Sequence, residues 1–313
     1  MENKIKIFCS KDWADYELLD TGEGEKLEKF GKYIFVRPYE DAIWPKTFSA
    51  EEWNKADGKF WTSKQGAKDK RARLASMSNT SRGGWKMNGK IEPKWEMSYK
   101  DIKFFASPTP FRHLKFFPEQ AAHWDFIEKK ISAQGGSASG GKKVKFLNLF
   151  GYTGVASLFA LRAGAEVTHL DASKQTLIWA KENQEISGLG KLPMRIIADD
   201  AIKFLEREEK RGNKYDCVIM DPPKFGRGPK GEIWKIEEML PKLLSQVRKI
   251  LSDKPLFVIL TSYAIDSSSL SLGYALSEIM KDFKGDIEQG ELCVLEKSNN
   301  RLIPLANTAV WSV

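Results

Sequence analysis

Short apolar runs alternate with amphipathic stretches over most of the chain after residue 143. The predicted strands are Val144–Leu149, Glu166–Leu170, Met194–Ala198, Cys217–Met220 and Leu256–Thr261. The helices predicted between and after them are Val155–Ala163, Ser173–Ile186, Ala201–Lys210, Ile233–Leu251 and Leu270–Asp282. Two more strands, Glu291–Glu296 and Leu302–Trp311, are predicted across a turn at Asn299-Asn300. Alternating strands and helices predict an α/β fold with a doubly wound, mostly parallel seven-stranded sheet and an antiparallel terminal hairpin.

The first part of the chain has a different pattern, with short strand-like segments separated by turn residues. These segments are Tyr16–Asp20, Lys32–Pro38, Lys86–Lys90 and Ile102–Phe105. They predict a small β-rich domain over residues 1–115, a candidate substrate-binding domain, followed by a larger domain over residues 116–313. A helix opens at Pro118, because apolar residues recur at spacings of three and four from Ala121 to Ile131. The glycine- and serine-rich stretch 135–141 is typical of a flexible loop.

Composition narrows the classes of protein to consider. Of the 313 residues, 42% are hydrophobic and 29% charged, which indicates a packed globular chain. The sequence has neither a long apolar run nor an apolar leader, so we expect no membrane partner. Three cysteines and three histidines without metal-like spacing predict a cytoplasmic protein with no metal site.

A net charge of +8 weakly favours a polyanionic partner. The stretch from Lys55 to Arg73 carries seven basic and two acidic residues around Phe60 and Trp61. It is either a solvated loop or a surface that binds RNA through phosphates and bases.

A glycine turn follows the first strand of the larger domain, in the segment from Asn148 to Gly154. Ligands of doubly wound sheets bind beyond the carboxyl ends of the strands, and glycine lets the backbone approach a ligand closely. The spacing of Gly151 and Gly154 is not that of a dinucleotide site and favours a cofactor without a pyrophosphate. A plain turn into a helix explains the two glycines equally well.

Acidic residues end the next two strands. Asp171 has two oxygens that match the vicinal hydroxyls of a ribose, although it could instead cap the next helix. The capping alternative is weaker because Ser173 is available for that role. Of Asp199 and Asp200, one would cap a helix while the other faces an adenine amino group, and we assign the ligand to Asp199.

The segment Asp221-Pro222-Pro223-Lys224-Phe225 ends the fourth strand. Two prolines fix the backbone and remove two N–H donors, which leaves carbonyls and the Asp221 carboxylate to face a polar substrate. Phe225 offers a ring for stacking on a base. A double proline can also simply end a strand, but the flanking acidic and aromatic residues favour a catalytic site made of Asp221, Pro222, Pro223 and Phe225.

These motifs resemble the class I S-adenosylmethionine-dependent methyltransferases, and among them the branch related to the large-subunit ribosomal RNA cytosine-C5 methyltransferases. The resemblance covers about residues 110–313, and more loosely the whole chain. It implies S-adenosylmethionine as cofactor and RNA as substrate. The cofactor-binding residues that it implies are Phe117, Glu119 and Gln120 before the sheet, Asn148, Phe150, Gly151, Thr153 and Gly154 in the glycine motif, Asp171, Ala172 and Ser173 in the ribose motif, and Asp199, Asp200 and Ala201 in the adenine motif.

The chain departs from that branch at one position. A cysteine nucleophile follows the fifth strand in the cytosine-C5 members, whereas this chain reads Leu260-Thr261-Ser262-Tyr263-Ala264. Carbon-5 of cytosine is a poor nucleophile until a thiolate adds to the ring. Transfer to a base nitrogen needs only positioning and proton removal, since the sulfonium is already a strong methyl donor.

The first hypothesis is therefore an enzyme that transfers a methyl group from S-adenosylmethionine to a base of RNA, with ribosomal RNA as the expected substrate. Alternatives are a methyltransferase for a protein or small molecule, a nucleotide-dependent oxidoreductase, and a non-catalytic RNA-binding protein. The missing third glycine disfavours the oxidoreductase. The nucleotide, the methylated atom and the oligomeric state stay open.

Overall fold

The computed structural model describes residues 4–62, 83–135, 137–138, 142–263 and 268–313. The strands of this part are β1 (Ile5–Cys9), β2 (Tyr16–Gly22), β3 (Glu25–Phe30), β4 (Tyr33–Pro38), β5 (Gly58–Trp61), β6 (Gly84–Met87), β7 (Trp95–Tyr99), β8 (Ile102–Ala106), β9 (Ser137–Ala138), β10 (Lys142–Lys143), β11 (Lys145–Leu149), β12 (Glu166–Asp171), β13 (Met194–Ala198), β14 (Cys217–Met220), β15 (Phe225–Arg227), β16 (Ile233–Lys235), β17 (Phe257–Ser262), β18 (Asp286–Leu295) and β19 (Leu302–Ser312). The helices are α1 (Ala50–Asn54), α2 (Ala121–Ser132), α3 (Val155–Arg162), α4 (Lys174–Ile186), α5 (Ala201–Lys210), α6 (Ile236–Ile250) and α7 (Ser269–Met280), and a 3₁₀ turn covers Pro118–Gln120.

The chain divides into two compact units. The main unit comprises Met1–Ser10, Glu119–Cys293 and Pro304–Val313, and the N-terminal unit comprises Lys11–Pro118 and Val294–Ile303. The predicted boundary at residue 115 therefore misassigns two stretches. Residues 4–10 belong to the main unit, and the tip of the terminal hairpin belongs to the N-terminal unit.

A large mixed sheet forms the centre of the main unit, in the order β1-β18-β19-β17-β14-β11-β12-β13. The strands from β17 to β13 are parallel, and β19 runs antiparallel to β17. The α/β class is confirmed. The prediction of seven strands was short by one, because β1 adds to the sheet in parallel register with β18.

Helices cover both faces of this sheet. Leu147 and Leu149 of β11 belong to an apolar cluster with α5, α6 and α7, whereas Phe146 belongs to a second cluster with α2 and α3. Successive side chains of a strand point to opposite faces. The central strands are therefore buried on both sides, as their continuous apolar runs predict.

Two helix starts test the predicted caps. Ser173 caps α4 by accepting from the Thr176 amide, and Asp200 caps α5 by accepting from the Lys203 amide. Both caps are confirmed. The predicted helix 233–251 was too long at its start, because residues 233–235 form β16 and the helix begins at Ile236.

The N-terminal unit contains a sheet in the order β2-β3-β4-β5-β6 and a separate hairpin of β7 and β8. Its strand β3 is buried although four of its six residues are charged. The tip of the terminal hairpin is held to this unit by hydrogen bonds from Ser298 to Asp20 and from Thr21 to Glu296.

Several predictions fall on residues outside the described ranges. These are most of the basic stretch 55–73, part of the glycine-rich stretch 135–141, and Ala264. Among the described helices, none is long and apolar enough to cross a membrane. The described residues also contain no group of three or more His, Cys, Asp or Glu side chains that could hold a metal ion.

Candidate functional site

The glycine turn connects β11 to α3 through a strained backbone. Phe150, Tyr152 and Gly154 have φ values of 57°, 51° and 84°, in the left-handed region. This conformation costs a non-glycine residue roughly 1–2 kcal/mol. A Cβ at Gly151 would lie 2.2 Å from Cε1 of His169, so the small residue is required by the protein itself at this position.

A buried polar network lies beneath the turn. The Asn148 side-chain amide donates to Ser157 Oγ over 2.9 Å, and Ser157 Oγ lies 3.0 Å from His169 Nδ1. His169 Nε2 lies 3.3 Å from the Tyr152 carbonyl oxygen. Burial lowers the pKa of His169 to about 4, so its imidazole is neutral at pH 7. The structure thus places Asn148 under the turn as a support.

Asp171 fastens the turn to the end of β12. Its Oδ2 accepts from the Tyr152 amide over 2.9 Å, and its Oδ1 accepts from the Ser173 amide and the Thr176 hydroxyl. A carboxylate offers about four acceptor positions. A ribose at the predicted place would therefore share the Asp171 carboxylate with the turn.

The predicted adenine motif lies at the end of β13. Asp199 accepts from the Asp200 amide over 2.9 Å and forms an ion pair with Arg207. Ala201 is buried as the first residue of α5, and Ala172 is half-buried next to Ser173. The arrangement separates the roles of the two aspartates, since Asp200 caps the helix while Asp199 does not.

The predicted motif before the sheet is divided between the two units. Phe117 belongs to the N-terminal unit, where its ring centroid lies 4.9 Å from that of His113. Glu119 and Gln120 belong to the main unit, and the Glu119 side chain is buried. Thr153, also predicted for the cofactor, is buried, and its carbonyl accepts from the Asn183 side chain.

A cluster of polar side chains joins Gln120 to the ends of β14 and β17. Gln120 Nε2 donates to the Tyr263 hydroxyl oxygen over 3.0 Å and lies 3.4 Å from Asp221 Oδ2. The Tyr263 hydroxyl also forms a hydrogen bond with Glu119. We call Glu119, Gln120, Asp221 and Tyr263 the carboxyl cluster.

Asp221 and Tyr263 have perturbed acidities. Burial, and secondarily the charge of Glu119, raise the pKa of Asp221 well above its ordinary value. Burial also raises the pKa of Tyr263, so its hydroxyl stays protonated at pH 7. A carboxyl with a raised pKa is better matched to accepting a proton near neutral pH.

The prolines and Phe225 follow directly after Asp221. Pro222 is buried, Pro223 is exposed, and its carbonyl accepts from the Trp234 indole N–H over 2.6 Å. The Phe225 side chain is 64% exposed and is available to a ligand. A ring in this position can stack on a planar base.

The cysteines lie in strands of the main unit. Cys217 is buried in β14, and Cys293 of β18 is opposite Cys9 of β1. Burial raises the pKa of Cys217 and raises that of Cys293 to about 12, so both thiols are protonated and poor nucleophiles at pH 7. Tyr263 lies directly after β17, where the resemblance to the cytosine-C5 branch implies a nucleophilic cysteine.

The fold is similar to that of a solved structure. A crystal structure of the S-adenosylmethionine-dependent methyltransferase from Agrobacterium tumefaciens is 38% identical in sequence, with a TM-score of 0.87. The similarity covers 98% of this chain and 93% of the Agrobacterium chain. The chain belongs to the class I S-adenosylmethionine-dependent methyltransferases.

Several curated proteins that are similar in sequence to this chain are ribosomal RNA methyltransferases. The chain is 32% identical over 151 residues to ribosomal RNA large subunit methyltransferase K of Neisseria meningitidis. The matched segment covers 47% of this chain and 42% of the Neisseria protein. The chain is also 39% identical over 111 residues to ribosomal RNA large subunit methyltransferase I of Aeromonas salmonicida. This match covers 35% of this chain and 26% of the Aeromonas protein. A family model described as conserved hypothetical protein 95 matches residues 125–259. The chain thus spans less than half the length of the curated relatives that it matches.

Sequence reasoning gave no role to two side chains of the site. Tyr263 was noted only as the residue in place of a cysteine, although its position after a central strand could have marked it as facing the ligand edge. Trp234 was missed because its segment was read as the start of a helix. The alternation of Ile233, Trp234 and Lys235 is the signal that could have revealed a strand.

Proposed function

We propose that this protein transfers a methyl group from S-adenosylmethionine to a nitrogen of a base in RNA, with ribosomal RNA as the substrate. The observation that carries the proposal is the carboxyl cluster, together with the exposed ring of Phe225 four residues after Asp221. The names of the curated relatives support RNA as the substrate class.

The cofactor would be held by the turns at the carboxyl ends of β11, β12 and β13. The strained turn at Phe150–Gly154 is fixed in one conformation by Asp171 and by the buried network under it. A turn fixed before binding has less entropy to lose when a ligand arrives. Asp171 and Ser173 would hold the ribose, Asp199 with its neighbours would hold the adenine, and Glu119 and Gln120 would lie nearer the methyl donor. The bound cofactor supplies the activated methyl group.

Asp221 and Phe225 would hold the acceptor base. Phe225 would stack on the ring while Asp221 and the Pro222 carbonyl accept hydrogen bonds from an amino or imino group. The raised pKa of Asp221 suits it to take the proton that the nitrogen releases when the methyl group arrives. The acceptor nitrogen would receive the methyl group directly from the bound cofactor, which would leave as the neutral thioether, and no covalent bond to the protein would form.

A nitrogen acceptor explains why the site has no thiol nucleophile. Addition at the ring is needed to activate carbon-5 of cytosine, whereas a nitrogen lone pair can attack without it. Gln120 would position Asp221 and Tyr263 relative to each other by donating one N–H toward each. We assign the N-terminal unit a role in holding the RNA.

The test is nucleoside mass spectrometry of RNA from cells lacking the gene, before and after treatment with the purified protein and S-adenosylmethionine. The expected result is one new nucleoside with a methyl group on a base nitrogen. Variants Cys9→Ala, Cys217→Ala and Cys293→Ala should each form the same product. The proposal would be contradicted if the RNA stays unmethylated. It would also be contradicted if the wild-type protein forms 5-methylcytosine and one cysteine variant does not.

A further inference from the structure

A small antiparallel hairpin, residues 225–235, follows the predicted catalytic motif. Phe225 pairs with Lys235, Gly226 with Trp234, and Arg227 with Ile233. Directly opposed residues of an antiparallel pair lie on the same face of the strands. The hairpin therefore has an inner face of Gly226 and Trp234 and an outer face of the other four residues.

The inner face anchors the hairpin to both motifs of the site. Trp234 is buried, donates its indole N–H to the Pro223 carbonyl over 2.6 Å, and has its ring centroid 5.0 Å from that of Phe150. A Cβ at Gly226 would lie 3.4 Å from Pro223 Cγ. The inner face thereby ties the hairpin to Pro223, two residues after Asp221.

The far end of the hairpin is also fixed. The Gly228 amide donates to the Glu232 carbonyl over 2.8 Å, and Lys203 of α5 forms an ion pair with Glu232 over 2.5 Å. Both ends of the hairpin are thus held by contacts, and its four outer residues are exposed to water.

The outer face combines exposed apolar groups with cations. Phe225 and Ile233 are 64% and 69% exposed. Arg227 and Lys235 are exposed beside them. Residues 222–235 contain four basic side chains and one acidic side chain, 4 − 1, which gives a net charge of +3. Large apolar groups left in water next to cations indicate a binding surface for an anionic ligand with flat apolar parts.

We propose that this outer face binds the unpaired nucleotides that flank the methylated base in the RNA. This inference rests on the proposed function. Arg227 and Lys235 would contact phosphates, while Phe225 takes the target base and Ile233 packs on the neighbouring base or sugar. Single-stranded nucleic acid is bound by this combination of cations and apolar platforms. A protein partner fits less well, because the centres of protein interfaces are depleted in lysine.

The experiment measures binding of a fluorescent single-stranded oligouridylate by anisotropy over a series of KCl concentrations. Arg227→Gln and Lys235→Gln should each weaken binding by about 3- to 10-fold and reduce the slope of log affinity against log salt by about 0.7. Ile233→Ser should weaken binding by a similar factor and leave the slope unchanged, because it removes an apolar contact and no charge.

Lys281→Gln is the matched control. Lys235 and Lys281 each form an exposed ion pair with a glutamate three residues away, Glu238 and Glu278 respectively, but only Lys235 lies on the hairpin. Lys281→Gln should leave both affinity and slope as in the wild type. Calorimetry with S-adenosylmethionine should give the wild-type affinity for all four variants, which shows that the cofactor site is intact.

The outcomes separate the two proposals. The hairpin assignment alone would be overturned if the wild-type protein methylates RNA but the hairpin variants bind the oligonucleotide with the wild-type affinity and salt slope. The outer face would then be left to a protein partner. An effect of Lys281→Gln equal to that of Lys235→Gln would overturn it too. Wild-type protein that leaves RNA unmethylated would overturn the proposed function, and with it the assignment of this face.

Discussion

Glu28 in the N-terminal unit is a fully buried carboxylate and Asp221 in the main unit is a partly buried one, and the two have opposite kinds of neighbour. Arg37 donates to both oxygens of Glu28 over 2.7 Å each, Tyr16 donates over 2.9 Å, and Lys26 lies 3.3 Å away. Burial raises the pKa of Glu28, but these partners outweigh it and lower the pKa to about 2. Asp221 has an amide, Gln120, and a second carboxylate, Glu119, near it, and its pKa is raised.

The difference shows how this chain uses burial. An ion pair that is fully hydrogen-bonded keeps its charge and holds its strands together, as Glu28 does for β3 and β4. Within the described residues no basic side chain acts on the Asp221 carboxylate, so its ionised form is disfavoured. Groups with raised pKa values of this kind occur preferentially at functional sites.

The largest expected effect is on catalysis at Asp221. Asp221→Asn keeps the shape and removes the proton acceptor, so methyl transfer to RNA should slow by about 10²–10⁴-fold. The free energy of unfolding should stay equal or rise, because a neutral amide replaces an uncompensated carboxyl. Initial rates and urea unfolding measure the two quantities. Asp286→Asn, an exposed aspartate of the same unit, is the control and should change neither. A large loss of stability in Asp221→Asn would remove the contrast with Glu28.

The second expected effect is on stability at Glu28. Glu28→Gln leaves Arg37 and Lys26 buried without their carboxylate and should lower the free energy of unfolding by about 3–5 kcal/mol. The matched variant Glu96→Gln removes an exposed pair with Lys103 and should cost below about 1 kcal/mol. Urea unfolding followed by tryptophan fluorescence gives both values. Equal losses in the two variants would show that burial of the pair is irrelevant.

The same contrast explains what could be predicted for the fold. Strands β14 and β17 contain continuous apolar runs, and β11 has an apolar run interrupted by Asn148, so their assignment as strands follows from the sequence. Strand β3 was not predicted, because four of its six residues are charged and do not form an apolar pattern. The partners of these charges, such as Lys46 and Lys59 for Glu25, are distant in sequence. Strand β1 was missed because its partner β18 lies near the other end of the chain.

The contacts within the candidate site depend on the fold in the same way. Asp221, Gln120 and Glu119 were named from motifs, and the structure brings Asp221 and Gln120 together. Tyr263 joins them from 143 residues beyond Gln120, a contact that only the folded sheet creates. The pairing of Phe225 with Lys235 was hidden by the helix assigned to its second strand. Local motifs therefore identify residues at strand ends, whereas the contacts between strand ends need the topology.

The smallest expected effect is on the pH dependence of stability, where the two carboxylates should act in opposite directions. The pKa of Glu28 is about 2 in the folded chain against an ordinary 4.5, so its contribution is present above pH 4.5 and is lost as the pH falls toward 2. The stability gap between wild type and Glu28→Gln should narrow by about 3 kcal/mol over that range. The pKa of Asp221 is raised above 3.8, so wild type should lose stability relative to Asp221→Asn as the pH rises above about 4.

Urea unfolding of the wild type and both variants at a series of pH values between about 2 and 8 measures these slopes. Each variant removes one titrating carboxyl, so the difference from wild type isolates that group from the other acids of the chain. Opposite slopes would establish that the same kind of side chain stabilises one unit in its charged form and the other in its neutral form. Slopes of the same sign would mean that Asp221 has a cationic partner in solution, and its assignment as the proton acceptor would then be wrong.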